Sequence, residues 1–316
     1  MNLGPRENIP SIVSVNYNGP LEQLKFSISS HVLITLVNAI IILITHFKKS
    51  FKLKLEIKKI VFLFCYTGLF LDIWFVSSQF IFYIVGLKYK KMSILLVDSI
   101  GQFYFVLYNI YYITPFCITY WRFISIFFNR TVLLFENITI AVITMIPSFV
   151  ASINCVFFSN VVFSDDTFEY KHYYSDAIFE YMDLFPQVAS SFLALILNVM
   201  ILIKVNVSAK KSSDKLLNRK SEIPLTINLL FHSICPLILL IWANTMSILR
   251  VTHNSKGEKS NLFMVYVNLD MVYRILSPIT MILFMKAYRN GFLRWIGCEN
   301  KKLFIKISRC VVQNKN

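Results

Sequence analysis

The chain has 316 residues, 56% of them apolar and 16% charged, with a net charge of +15 and a mean hydropathy of +0.59. Soluble domains carry about 25% charged residues, and a soluble protein this apolar would lack the polar surface to cover its core. An ordinary cytosolic enzyme and a disordered chain are therefore excluded. The basic excess fits nucleic-acid binding or membrane topology, and the placement of the charges decides between them.

A run of 18 or more residues with few charges reads as a transmembrane helix. Seven are predicted, at about 26–47, 60–87, 92–121, 138–163, 184–203, 223–249 and 261–285. Each is long enough to cross a hydrocarbon core of ~30 Å at 1.5 Å per residue. The fold class expected is an all-α integral membrane protein, a seven-transmembrane helix bundle. Segment 1–25 lacks the pattern of a cleavable signal peptide and is read as an extracellular N-terminus. With the N-terminus outside, cytoplasmic stretches hold 22 of the 32 Lys and Arg residues and outer stretches hold 9. That is the distribution of the positive-inside rule, and it removes the case for nucleic acid. The C-terminus is then cytoplasmic. The sequons at Asn129, Asn137 and Asn206 fall at cytoplasmic or membrane positions and are expected to stay unglycosylated.

Ionisable groups inside spans are costly and seldom face lipid, so they are functional candidates. Span two holds Asp72. Span seven holds Asp270 and Arg274, four residues apart and hence on one helix face. Asp72 lies at a depth Arg274 can reach, so an intramembrane cluster of Asp72, Asp270 and Arg274 is predicted. It either fixes helix packing or contacts a ligand. In span three, Asp98, Gly101, Phe105, Tyr108, Tyr112, Pro115, Thr119 and Arg122 recur every three or four residues and share a face. Asp98, Phe105, Tyr108, Asp270 and Arg274 are the candidate ligand pocket; ordinary helix packing is the alternative.

The outer loop expected at 164–183 carries six acids, including Glu180 and Asp183, which either steer cations inward or are simply solvated. The basic loop 204–222 includes Lys210, Lys211 and Arg219. Pro224, Pro236 and Pro278 mark kinks in spans six and seven. His31 and His232 read as isolated packed or pore-facing residues. Segment 286–316 alternates apolar and basic residues, as a short amphipathic helix on an anionic leaflet does. Its Cys298 and Cys310 are candidates for S-palmitoylation. No metal spacing, cofactor motif or enzyme signature is present in the sequence.

Seven spans with a basic third inner loop and a basic tail resemble a G-protein-coupled receptor. Trp121-Arg122-Phe123 resembles the acid-Arg-aromatic triplet at the inner end of span three, and Ser277-Pro278 resembles the Asn-Pro pair of span seven. Lys220–Thr226 and Pro278–Phe292 are similar to nematode serpentine chemoreceptors, nearest the gamma superfamily with classes G, T, U and V. Trp121 stands where the family has an acid, and no cysteine tops span three or lies in loop 164–183. The resemblance implies a small environmental or pheromone-like ligand and a heterotrimeric G protein. It assigns coupling to Arg122, Lys210, Lys211 and Arg219, in the plasma membrane and in a sensory cilium. A seven-helix ligand-gated channel or transporter is the alternative, although no internal repeat favours it. A membrane scaffold with no ligand is a third reading.

Overall fold

The computed structural model describes residues 12–14, 21–47, 55–88, 91–130, 132–158, 160–164, 169–173, 177–210, 222–252, 258–284 and 289. Their long elements are all helices: α1 (Leu21–Phe47), α2 (Leu55–Lys88), α3 (Ile94–Phe128), α4 (Leu134–Phe158), α5 (Ala177–Lys210), α6 (Glu222–Thr252) and α7 (Glu258–Phe284). Helices satisfy every interior backbone group within one segment, as a chain must do where no water reaches it. Short strands join them at one end of the bundle. β1 (Ile12–Ser14) pairs antiparallel with β2 (Lys91–Ser93), and β3 (Asn160–Ser164) pairs antiparallel with β4 (Glu169–Tyr173).

Six helices, α1 to α6, are long and apolar enough to cross a membrane. The chain is thus a multi-pass helical membrane protein. α7 is 27 residues long but more polar, and it carries the Asp270 and Arg274 pair. Apolar side chains cover the outside as well as the inside. On α1, Leu33, Leu36, Ile40 and Leu43 point outward while Ile34, Asn38, Ile41 and Thr45 are buried. That inversion, with amides and hydroxyls inward and leucines outward, suits a lipid solvent.

Several boundaries differ from the sequence expectation. The fourth span, expected over 138–163, ends at Phe158, because the apolar run Val161–Phe163 pairs with β4 as a hairpin strand. The fifth, expected over 184–203, begins at Ala177. Glu180 and Asp183 are therefore helical residues, and Asp183 is buried rather than solvated. The third extends past 121 to Phe128, where Asn129 caps it in the left-handed conformation at φ 52°. The first helix takes in Leu21–Lys25, expected to lie in the extracellular segment. Of the segment 286–316 only Arg289 is described, so its amphipathic helix, Cys298 and Cys310 lie outside the described residues.

Successive helices pack in a ring, α1 on α2 through α6 on α7, and α7 closes back on α1. α3 also packs on α5 and α6. Every residue from Tyr111 to Thr119 is buried, so this stretch of α3 is enclosed on all sides within the bundle. Gly68 permits a close approach here. A Cβ at that position would lie 3.0 Å from Asn38 Nδ2 and 3.4 Å from the Tyr111 ring, so α1, α2 and α3 meet over a bare backbone.

Candidate functional site

The structure brings the three predicted span charges together. Arg274 Nη2 donates to Asp72 Oδ1, and Arg274 Nη1 lies 4.0 Å from Asp270 Oδ2. All three are buried, at 0% exposure for Asp72, 1% for Arg274 and 7% for Asp270. A fourth member was not expected. His31 of α1 places Nδ1 2.6 Å from the same Asp72 oxygen. A ring nitrogen facing a carboxylate carries the hydrogen, so His31 donates there. Its ring stacks on Phe75 with centroids 3.8 Å apart. The hydroxyl of Tyr112 on α3 donates to Asp270 Oδ1, and Tyr108 OH lies 3.3 Å from Tyr112 OH. The Arg274 guanidinium also sits over the Tyr111 ring at 5.9 Å. Charges and hydroxyls thus join α1, α2, α3 and α7 near mid-depth.

A second polar node lies where α3 meets α4 and α5. Asn109 Nδ2 donates to Ser148 Oγ on α4 at 2.6 Å and to Asp183 Oδ1 on α5 at 2.9 Å. Ser148 Oγ donates to the same Asp183 oxygen at 2.9 Å, and Gln187 Nε2 donates to Asn109 Oδ1. All four residues are buried. Deeper along α3, Asn198 Nδ2 of α5 donates to Thr119 Oγ1 and to Ser233 Oγ of α6, both at 3.1 Å. Nearer the α3 C-terminus, Arg122 Nη2 donates to Thr226 Oγ1 of α6 at 3.1 Å. At the opposite end of α3, Trp74 Nε1 of α2 donates to the Ile100 carbonyl at 3.2 Å.

The remaining predicted site residues fall as follows. Asp98 is fully buried one turn into α3, not held at an open mouth. Phe105 is half-buried against the cluster of Phe82, Val97, Ile100 and Cys155. Tyr108 is buried beside Tyr112, and Arg122 is buried as well. The row on α3 that begins at Asp98 is less distinctive than its spacing implied, because residues 111–119 are buried on every face. Lys210 is the last residue of α5, and Lys211 and Arg219 lie outside the described residues. Among the described residues no group of three or more His, Cys, Asp or Glu is arranged to hold a metal ion. Asp72, Asp270, Arg274 and Tyr112 offer acid, base and hydroxyl groups within one buried cluster.

His31 and His232, read as isolated, are not. His232 Nδ1 lies 3.3 Å from Tyr273 OH, and Nε2 lies 3.4 Å from Thr280 Oγ1. Asn109, Ser148, Gln187, Asn198 and Thr226 passed without notice because each is neutral. The signal that could have found them is an amide inside an apolar span, since a buried carboxamide in lipid demands a partner on a neighbouring helix.

No protein-family model matches the chain, and no curated protein matches it.

Proposed function

We propose that the chain is a chemosensory G-protein-coupled receptor with α7 as its seventh span, N-terminus outside and C-terminus in the cytoplasm. The orientation rests on the lysine and arginine distribution. One observation carries the reading: α3 is hydrogen-bonded to α2, α4, α5, α6 and α7 through Ile100, Asn109, Tyr112, Thr119 and Arg122 at successive depths. A helix bonded in this way transmits a displacement along its length. A small-molecule ligand in the outer half meets Asp98, Phe105 and Tyr108, with Asp270 and Arg274 below. By binding better to one helix arrangement it shifts the population towards it. At the inner end, the Arg122–Thr226 bond is the contact that opens. Arg122 and the basic loop with Lys210, Lys211 and Arg219 then meet a heterotrimeric G protein. The odd number of long described helices and the lack of an internal repeat in the sequence favour this over a transporter.

The test combines topology with coupling at the plasma membrane, including that of a sensory cilium. Tags on both termini report accessibility in intact cells, and an odorant panel is read by a G-protein-dependent signal. Arg122→Ala abolishes the evoked signal, whereas Thr226→Val, which keeps the cation but breaks the bond, raises the ligand-free signal. An inaccessible N-terminus with an accessible C-terminus overturns the reading and favours a channel or transporter.

A further inference from the structure

Counting charge in the central cluster leaves one carboxylate over. Two acids, Asp72 and Asp270, face one guanidinium, Arg274, which stays charged under all conditions, and His31 adds no charge, because its buried Nε2 has no acceptor among the described residues for an imidazolium's second hydrogen. The acids are not equivalent. Asp72 Oδ1 takes both the Arg274 Nη2 donor and the His31 Nδ1 donor. Asp270 is 4.0 Å from Arg274 Nη1, beyond hydrogen-bonding distance, and accepts instead from the neutral Tyr112 hydroxyl. The guanidinium therefore neutralises Asp72, and Asp270 is the surplus acid. An ionised carboxylate held this deep without a bonded cation is costly, and such groups neutralise instead.

Two kinds of cation could supply the balance. An organic ammonium group needs room among the rings beside Asp270. Tyr108 and Tyr112 have centroids 4.7 Å apart, and Tyr112 and Tyr111 are 5.6 Å apart. Those are contact separations that leave no slot between rings. A proton needs no slot. We propose that Asp270 is a proton-binding site, neutral in the structure described, and that losing the proton pairs it with Arg274.

The neighbours from each packed element agree with that assignment. α1 supplies His31, whose hydrogen is committed to Asp72. α2 supplies Asp72, a like charge that disfavours ionisation of Asp270. α3 supplies Tyr108 and Tyr112, neutral hydroxyls that bond an acid and bond a carboxylate more strongly, but carry no charge to balance it. From α6, His232 is turned to Tyr273 and Thr280. On α7 itself Arg274 is the cation one turn from Asp270, and its Nη1 has no hydrogen-bond partner among the described residues. When the Asp270 O–H bond breaks, the electron pair stays on the carboxylate and the proton passes to solvent water. The new charge then draws Oδ2 to Arg274 Nη1, while Oδ1 keeps the Tyr112 hydroxyl. Deprotonation thus pairs Asp270 with the guanidinium one turn along its own helix, and protonation releases that pairing. The inference does not depend on a ligand or a G protein, so it stands or falls apart from the receptor reading.

The experiment is infrared spectroscopy of the full chain in lipid nanodiscs at neutral pH. It reads the carbonyl stretch of protonated carboxyl groups and its shift in heavy water. The expected result is such a band in the wild type that Asp270→Asn removes and Asp98→Asn does not. A carboxyl spectrum unchanged by Asp270→Asn overturns the assignment. So does a wild type with no such band whose thermal midpoint is raised by alkylammonium salts, which would place an organic cation at the site. Should Asp270→Asn fail to fold, Tyr112→Phe removes only the hydroxyl that bonds the acid. A displaced band then supports the assignment, and an unmoved band overturns it.

Discussion

Two polar regions flank α3 and solve the same problem differently. The cluster of His31, Asp72, Asp270 and Arg274 uses formal charges, whereas the node of Asn109, Ser148, Asp183 and Gln187 threads one acid through amides and a hydroxyl. A buried ion pair makes each partner depend on the other, because removing one strands a charge. In an amide network the penalty falls on one unsatisfied hydrogen bond at a time. The charged side should therefore be brittle and the neutral side graded.

The largest expected effect breaks the charged side. Arg274→Leu leaves Asp72 bonded only to His31 and is expected to cost about 3–5 kcal/mol. Surface expression falls to background. Asp72→Asn combined with Arg274→Gln recovers most of it, and additive losses in the double variant would mean that the two residues act separately. On the amide side, Asn109→Leu removes the bonds from α3 to Ser148, Asp183 and Gln187 at about 1–3 kcal/mol. It lowers the thermal midpoint of the purified protein while some protein still reaches the surface. A loss as large as that of Arg274→Leu would erase the contrast between the two regions.

A smaller effect probes the α1–α2–α3 junction. Gly68→Ala places a Cβ 3.0 Å from the Asn38 amide, and the flexible amide gives way at about 1 kcal/mol, the low end of overpacking costs. Gly68→Leu finds no such relief and prevents folding, as surface labelling reads directly. The smallest effect belongs to the same chemistry placed at the membrane edge. Arg130 and Glu136 form a pair in which Arg130 is 61% exposed. Glu136→Gln is expected to change stability by less than about 1 kcal/mol, and by less still in high salt. Depth then sets the cost of losing a charge partner, not the pairing itself.

The sequence exposed the charged region and hid the neutral one for a physical reason. Charges are scarce in apolar spans, so Asp72, Asp270 and Arg274 stood out, and a spacing of four put the last two on one face. Asn109, Ser148 and Gln187 look like ordinary polar residues until the fold brings positions 39 and 78 residues apart into contact. The helices themselves were legible as apolar runs. Their ends were not, because hydropathy does not separate a hairpin strand such as Val161–Phe163 from the helix before it. Nor did it separate the helical Asp183 from a solvated loop. His31 was misjudged for a related cause, since its partner lies 41 residues away on the next helix.

The distance along the chain between Asp72 and Arg274 is 202 residues, and that separation governs how the protein is made. Ribosomes add about 5–20 residues per second, so Asp72 enters the bilayer roughly 10–40 s before its guanidinium exists. His31 precedes Asp72 and arrives with the first helix pair, giving the acid a donor throughout the wait. The nascent bundle is closed by its last helix, and a chain stopped before Arg274 is released with Asp72 held by the imidazole alone.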